Sequence, residues 1–174
     1  EEEGLLRRVH GGATAVHSRG EQKSFRSRQV EELPRKQAIA ACARGYLKGG
    51  ESLYLDGSTT CGELAKLLGG DHKLLVVTDS LYVLRELAER PGIELLGLGG
   101  LLDRDGNTFD GALSVENAER VVVDYCFFSA KGFSAEFIGN EGMVGSQVKQ
   151  LMIQQAQHCI LLADSTKYGR KGVI

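Results

Sequence analysis

The sequence predicts an α/β fold: a mostly parallel sheet with helices on both faces. Three observations predict it. Five short runs are continuously apolar rather than alternating: SLYLD (52–56), LLVVT (74–78), IELLGL (93–98), VVVDYCFFSA (121–130) and CILLAD (159–164). Runs of this kind suit strands that are buried on both faces. Amphipathic segments at the helical period lie between them, as βαβ units require. The chain also has 23 glycines against 2 prolines, which favours tight strand-to-helix turns over a disordered linker.

Each element follows from its own residues. The first thirty positions are polar, basic and glycine-containing, without a sustained period, and read as an extended arm or linker. A helix comes next. Pro34 suits its first turn, Ile39, Cys42, Ala43 and Tyr46 form its stripe, and Gly49-Gly50 stop it. After the first strand, Leu64, Leu67 and Leu68 share a helical face. Leu81, Leu84 and Leu87 share the next, and Val148, Leu151, Met152 and Ala156 the last. Segment 99–120 reads as a loop with a short helix near 115–120, and the glycine-rich 132–145 reads as a loop.

A length of 174 residues suits one domain with a sizeable core. A net charge of -2 excludes a body that binds nucleic acid by charge alone. No apolar run approaches the roughly 20 residues that span a bilayer, and EEEGLLRR lacks the apolar stretch of a signal peptide, so the cytoplasm is the expected compartment. The cysteines at 42, 61, 126 and 159 form no CxxC pair and read as small buried residues under reducing conditions. The histidines at 10, 17, 72 and 158 have no ligand spacing with them, so neither metal nor cofactor is expected.

In an open parallel sheet, ligands bind at the carboxyl ends of the strands. There the sequence places DGSTT (Asp56, Gly57, Ser58, Thr59, Thr60), then TDS (Thr78, Asp79, Ser80). Gly99-Gly100 follow the third strand, SAKG with Lys131 the fourth, and DSTKYG with Lys167 the fifth. DGSTT between a strand and a helix offers N–H groups and hydroxyls to an anion, for which phosphate is the usual small ligand. Lys131 and Lys167 supply point charges for a phosphate. The same residues also have plain structural uses. Ser58, Thr59, Thr60 and Ser80 serve as helix N-caps, each stabilising by roughly 1 kcal/mol. On this second reading Asp56 and Asp79 are turn residues, Gly99-Gly100 only turn the chain, and Lys131 and Lys167 are solvated. No GxSxG, GxxxxGK[ST] or spaced GxGxxG occurs, and no spacing assigns a general acid and base.

Taken in order, RRVHGGA (Arg7 to Ala13), SFRSR with Lys36 and IAACA, YLDGSTT, VVTDSL, LGG, VKQLMI and LLADSTKYG resemble the DeoR family of bacterial transcriptional regulators over nearly the whole chain. The resemblance implies a Rossmann-like fold similar to ribose-5-phosphate isomerase, with a sugar-phosphate effector in the crevice. It implies that residues 1–30 are an arm trailing a winged helix-turn-helix that is absent here. Residues 31–174 would be the effector-binding sensor domain, continuing past the C-terminus. The effector would rest on Asp56 to Thr60, helped by Thr78, Asp79, Ser80, Gly99, Gly100 and Lys167. Lys131 stands where the isomerases carry an acidic or amide residue, which favours sensing over isomerase chemistry. The expectation is a homo-oligomeric, cytoplasmic DNA-binding regulator of repressor type, not an enzyme. A sugar-phosphate isomerase on the same fold is the alternative.

Overall fold

The computed structural model describes residues 6–9, 12–15, 24–70, 73–140 and 145–172. Half of the arm read as 1–30 lies outside them, as do His10, His17, His72 and residues 141–144. In chain order, β1 (Leu6–Val9) and β2 (Gly12–Ala15) pair antiparallel, and α1 (Phe25–Val30) and α2 (Leu33–Arg44) follow. Then come β3 (Ser52–Leu55), α3 (Thr59–Lys66), β4 (Leu74–Thr78), α4 (Leu81–Leu87) and β5 (Ile93–Gly97). A hairpin of β6 (Leu101–Asp103) and β7 (Thr108–Asp110) leads to α5 (Ala112–Ala118) and β8 (Val123–Phe128). The short pair β9 (Gly132–Phe133) and β10 (Ile138–Gly139), then α6 (Ser146–Gln155) and β11 (Ala156–Leu161), complete the order.

The main sheet is parallel throughout, with strand order β11-β8-β3-β4-β5. Successive side chains on a strand point to opposite faces, so each strand feeds two cores. Leu53, Leu55, Val76 and Phe127 join the layer formed with α2, α3 and α4. Tyr54, Val77, Cys126 and Phe128 join the layer formed with α5 and α6. All five continuously apolar runs overlap a strand, and the helices do cover both faces.

The chain runs outward from β3 through β4 to β5, then returns to lay β8 and β11 on the other side of β3. The order of strands therefore reverses between β3 and β8. Their carboxyl ends diverge into helices on opposite faces and leave a crevice.

Local details differ from the sequence pattern for physical reasons. The helix over 33–44 ends at Gly45, so Tyr46 is 54% exposed and Leu47 enters the core instead. Leu67, past the end of α3, is 47% exposed. Cys61 and Cys126 are buried as expected, but Cys42 and Cys159 are exposed. Segment 99–120 contains the expected short helix, as α5, but the stretch before it is not a loop. Asp103 accepts hydrogen bonds from the N–H groups of Asp105 and Gly106, and Asn107 takes φ 59. This turn closes the β6–β7 hairpin. Strand β11 starts three residues before the apolar run, because pairing of Ala156 with Val123 overrides the helical pattern there. Among the described residues, no helix is long and apolar enough to cross a membrane.

Phe127 lies on a central strand with no exposed surface. Phe127→Ala is expected to destabilise the domain by about 3–5 kcal/mol in urea unfolding.

Candidate functional site

The crevice is organised from beneath by one carboxylate. Asp56, at the end of β3, is 1% exposed. Its Oδ1 accepts from the Ser58 N–H at 2.9 Å and its Oδ2 from the Ser129 N–H at 2.9 Å. The ammonium of Lys149, from α6, lies 2.9 Å from the same Oδ2 and also donates to the Ser129 carbonyl at 2.9 Å. Burial pushes the Asp56 carboxyl up. The Lys149 charge and the hydrogen bonds from Ser58 and Ser129 outweigh it and hold Asp56 below the usual aspartate range. Asp56 thus joins β3 to the end of β8 across the reversal point.

The loop after Asp56 opens α3. The Ser58 hydroxyl caps the helix by accepting from the Cys61 N–H at 3.1 Å, and the first intrahelical bond runs from the Gly62 N–H to the Ser58 carbonyl. The N–H groups of Thr59 and Thr60 precede that bond and have no intrahelical acceptor. They carry the positive end of the α3 dipole.

Above this turn lies a cleft of about 250 Å³. Gly57, Ser58 and Thr59 form its floor, with Arg28, Glu32 and Lys36 from the α1–α2 segment also lining it. On the β4 flank stand Asp79, Asp103 and Thr108. On the β8 and β11 flank stand Lys131, Lys167 and Arg170. The cleft is therefore acidic along one flank, while three cations outnumber the Asp164 carboxylate on the other.

Two buried groups temper this polarity. Asp79 is 2% exposed, and Tyr54 donates a hydrogen bond to its Oδ1 at 3.0 Å. Burial, with the Asp56 charge added, pushes the Asp79 carboxyl up to about 7. Lys167 donates to the Ser129 hydroxyl at 2.7 Å, and burial pushes its ammonium below the usual lysine range. An anion placed beside Lys167 relieves that burial cost.

The twelve residues singled out from the sequence divide into two groups. Gly57, Ser58, Thr59, Asp79, Lys131 and Lys167 line the cleft. Asp56, Thr60, Thr78, Ser80, Gly99 and Gly100 stand outside that lining and serve as framework. Thr78 donates to the Leu55 carbonyl at 2.7 Å and accepts from the Ser80 N–H at 3.0 Å. Ser80 caps α4 by accepting from the Val83 N–H. The Gly99 carbonyl accepts from the Ser114 hydroxyl. Gly100 has φ 117, and a Cβ there would lie 2.1 Å from the Ser114 Oγ.

Several lining residues escaped sequence reasoning. Lys36 and Lys149 sit on amphipathic helices, where a lysine reads as a solvated face. Asp103 and Thr108 sit in the segment read as loop. The Asp-Gly-Asn run between their short apolar flanks is a hairpin signal that could have found them.

Comparison with known proteins follows the same lines. Residues 31–174 match the DeoR C-terminal sensor domain. The HTH-type transcriptional regulator GolR of Listeria innocua is 34% identical over 97% of this chain and 67% of its own length. The uncharacterized HTH-type transcriptional regulator YulB of Bacillus subtilis is 34% identical over 98% of this chain and 66% of its own length. The L-fucose operon activator of Escherichia coli is 27% identical over 98% of this chain. The chain thus spans about two thirds of the length of GolR and YulB. Among solved structures, a ribose-5-phosphate isomerase in complex with phospho-erythronic acid has a TM-score of 0.57 at 15% identity. The match covers 78% of this chain and 54% of the isomerase. The isomerase A of Methanocaldococcus jannaschii gives 0.56. These structures share the fold.

Two predictions follow from the buried charges. Lys149→Met leaves Asp56 buried without its counter-charge and is expected to cost about 3–5 kcal/mol in urea unfolding. Asp79, raised in the folded state, keeps its proton where the unfolded chain has lost it. Its contribution to stability is complete below about pH 4 and lost as pH rises through about 7. Asp79→Asn, which keeps an acceptor for Tyr54, is expected to flatten the fall in melting temperature across that window. An equally steep fall in the variant would exclude Asp79 as its source.

Proposed function

The chain belongs to the DeoR family, as a C-terminal sensor domain, and on that premise we propose that it senses a phosphorylated sugar for a DNA-binding transcriptional regulator. The observation that carries this reading is the polarity of the cleft over the first turn of α3. A phosphate suits Gly57, Ser58 and Thr59, where backbone N–H groups and the helix dipole favour an anion. Lys167 and Lys131 add charge from the basic flank. Sugar hydroxyls suit the opposite flank, where Asp79, Asp103 and Thr108 offer acceptors. Asp56, Thr60, Thr78, Ser80, Gly99 and Gly100 keep the walls in register.

The relatives GolR and YulB are named as HTH-type transcriptional regulators, and AccR of Agrobacterium fabrum as a transcriptional repressor. The domain is accordingly a sensor and not an enzyme, and its likeness to the isomerases is one of fold. In the reading proposed here, a winged helix-turn-helix outside these residues holds operator DNA. Effector binding weakens that hold by favouring one of two arrangements of the protein. The regulator acts in the cytoplasm as a homo-oligomer, matching the two-fold symmetry of operators. AccR's name supports the repressor sense.

Calorimetric titration with a panel of sugar phosphates is expected to reveal at least one that binds. Silence from all of them, with the fold intact, rules out the sensing role. Thr59→Asp sets a carboxylate at the phosphate seat and is expected to weaken that ligand at least tenfold, or about 1.4 kcal/mol. Unchanged affinity would move the seat elsewhere.

A further inference from the structure

Helix α1 carries no residue of the main sheet, yet it is tied to the cleft at both ends. At its start, the Phe25 N–H donates to the Asp105 carbonyl of the β6–β7 turn at 2.9 Å. The Phe25 ring is 5% exposed and packs on Tyr82 of α4 with centroids 5.2 Å apart. Near its end, the Arg28 carbonyl accepts from the ammonium of Lys36 on α2. The same carbonyl lies 3.5 Å from the Thr59 hydroxyl, at the floor of the cleft. Between α1 and α2 the chain turns at Glu32, whose φ 50 and ψ 32 place a non-glycine residue in the left-handed region. Such a conformation persists only where the surroundings hold it, and it suits a hinge.

Lys36 is 5% exposed, and both it and Thr59 line the cleft. A backbone carbonyl carries only a partial charge. A phosphate oxygen carries a full one and makes shorter, stronger hydrogen bonds with an ammonium. A phosphate on the first turn of α3 therefore competes with Arg28 for the same two donors.

Resting on the sensing role proposed above, we propose that α1 is a latch: phosphate binding draws the Lys36 ammonium and Thr59 hydroxyl away from the Arg28 carbonyl and frees α1. The chain leads into α1 from residues 1–24, so the latch passes occupancy of the cleft to the segment before the sensor domain. Burial pushes the Lys36 ammonium below the usual lysine range, so a bound anion restores charge stabilisation that the carbonyl supplies incompletely. Reciprocity follows: whatever pulls α1 away tightens the grip on phosphate.

Amide hydrogen exchange on the 174-residue chain, with and without inorganic phosphate at high concentration, reads both halves together. Phosphate is expected to slow exchange at Thr59 and Thr60 and to speed it at Arg28 and its α1 neighbours. Protection at Thr59 and Thr60 with α1 unchanged or further protected overturns the latch and leaves the sensing role standing. No response at either place also overturns the latch, and the sugar-phosphate titration then decides the sensing role separately. In Lys36→Met, α1 is expected to exchange fast already and to gain nothing from phosphate; a phosphate-dependent change that persists there also overturns the latch. Phe25→Ala loosens α1 from outside the cleft and is expected to raise phosphate affinity about fivefold or more. Unchanged or weaker binding by that variant counts against the coupling.

Discussion

The buried contact between Asp56 and Lys149 is the constraint on which the rest of this domain depends. It sits where the strand order reverses, so it fixes the relation between the two halves of the sheet. A buried ion pair is a costly way to join two strands, and well-packed apolar residues often do as well for stability alone. What the pair adds is direction. One carboxylate oxygen orients the loop that opens α3, and the other orients the end of β8. Lys149 then closes the arrangement from the opposite layer. An apolar contact would leave all three free to rotate.

Ser129 extends that control to the basic flank. Its N–H answers to Asp56, its carbonyl to Lys149 and its hydroxyl to Lys167. A single residue after β8 thereby connects the anion seat to a lysine contributed by the far edge of the sheet. The acidic flank is held differently, by backbone bonds. The Phe109 N–H donates to the Asp79 carbonyl at 2.7 Å, and the Leu81 N–H donates to the Asn107 carbonyl at 3.0 Å. The hairpin is thus pinned over the mouth of β4. Gly57 permits this closeness: a Cβ there would lie 2.0 Å from the Thr108 methyl.

The layered fold was legible because buried parallel strands are written as unbroken apolar runs, and LLVVT at 74–78 coincides with β4. The strand-end motifs were legible as a group because the fold itself gathers strand ends. Their division of labour was not. Thr78 ends β4 and spends its hydroxyl on a neighbouring carbonyl, whereas Thr59 opens α3 and lines the cleft. The register of β3 against β4 sets Thr78 beside Leu55, whose carbonyl takes its hydroxyl. Lys36 and Lys149 fell within quoted motifs but were not read as site residues, for a related reason. A lysine on a helix is ordinarily solvated, and its burial here depends on what tertiary packing sets opposite it. The hairpin at 101–110 was a different kind of miss, since its turn residues were present in the sequence and were outweighed by the shortness of their three-residue flanks.

The central position of β3 has a consequence for how the domain assembles. Its neighbour β4 is close in sequence, so β3, β4 and β5 can pair through short crossovers. Its other neighbour, β8, lies some seventy residues downstream, and Asp56 meets Ser129 across a separation of 73. Contacts that remote carry a large loop-closure cost and form slowly. On a ribosome releasing the chain N-terminal end first, β3 waits with one edge unpaired until β8, α6 and β11 emerge. The cleft, walled by residues from Arg28 to Arg170, is then among the last features to form. Its completion reports that the whole domain has folded.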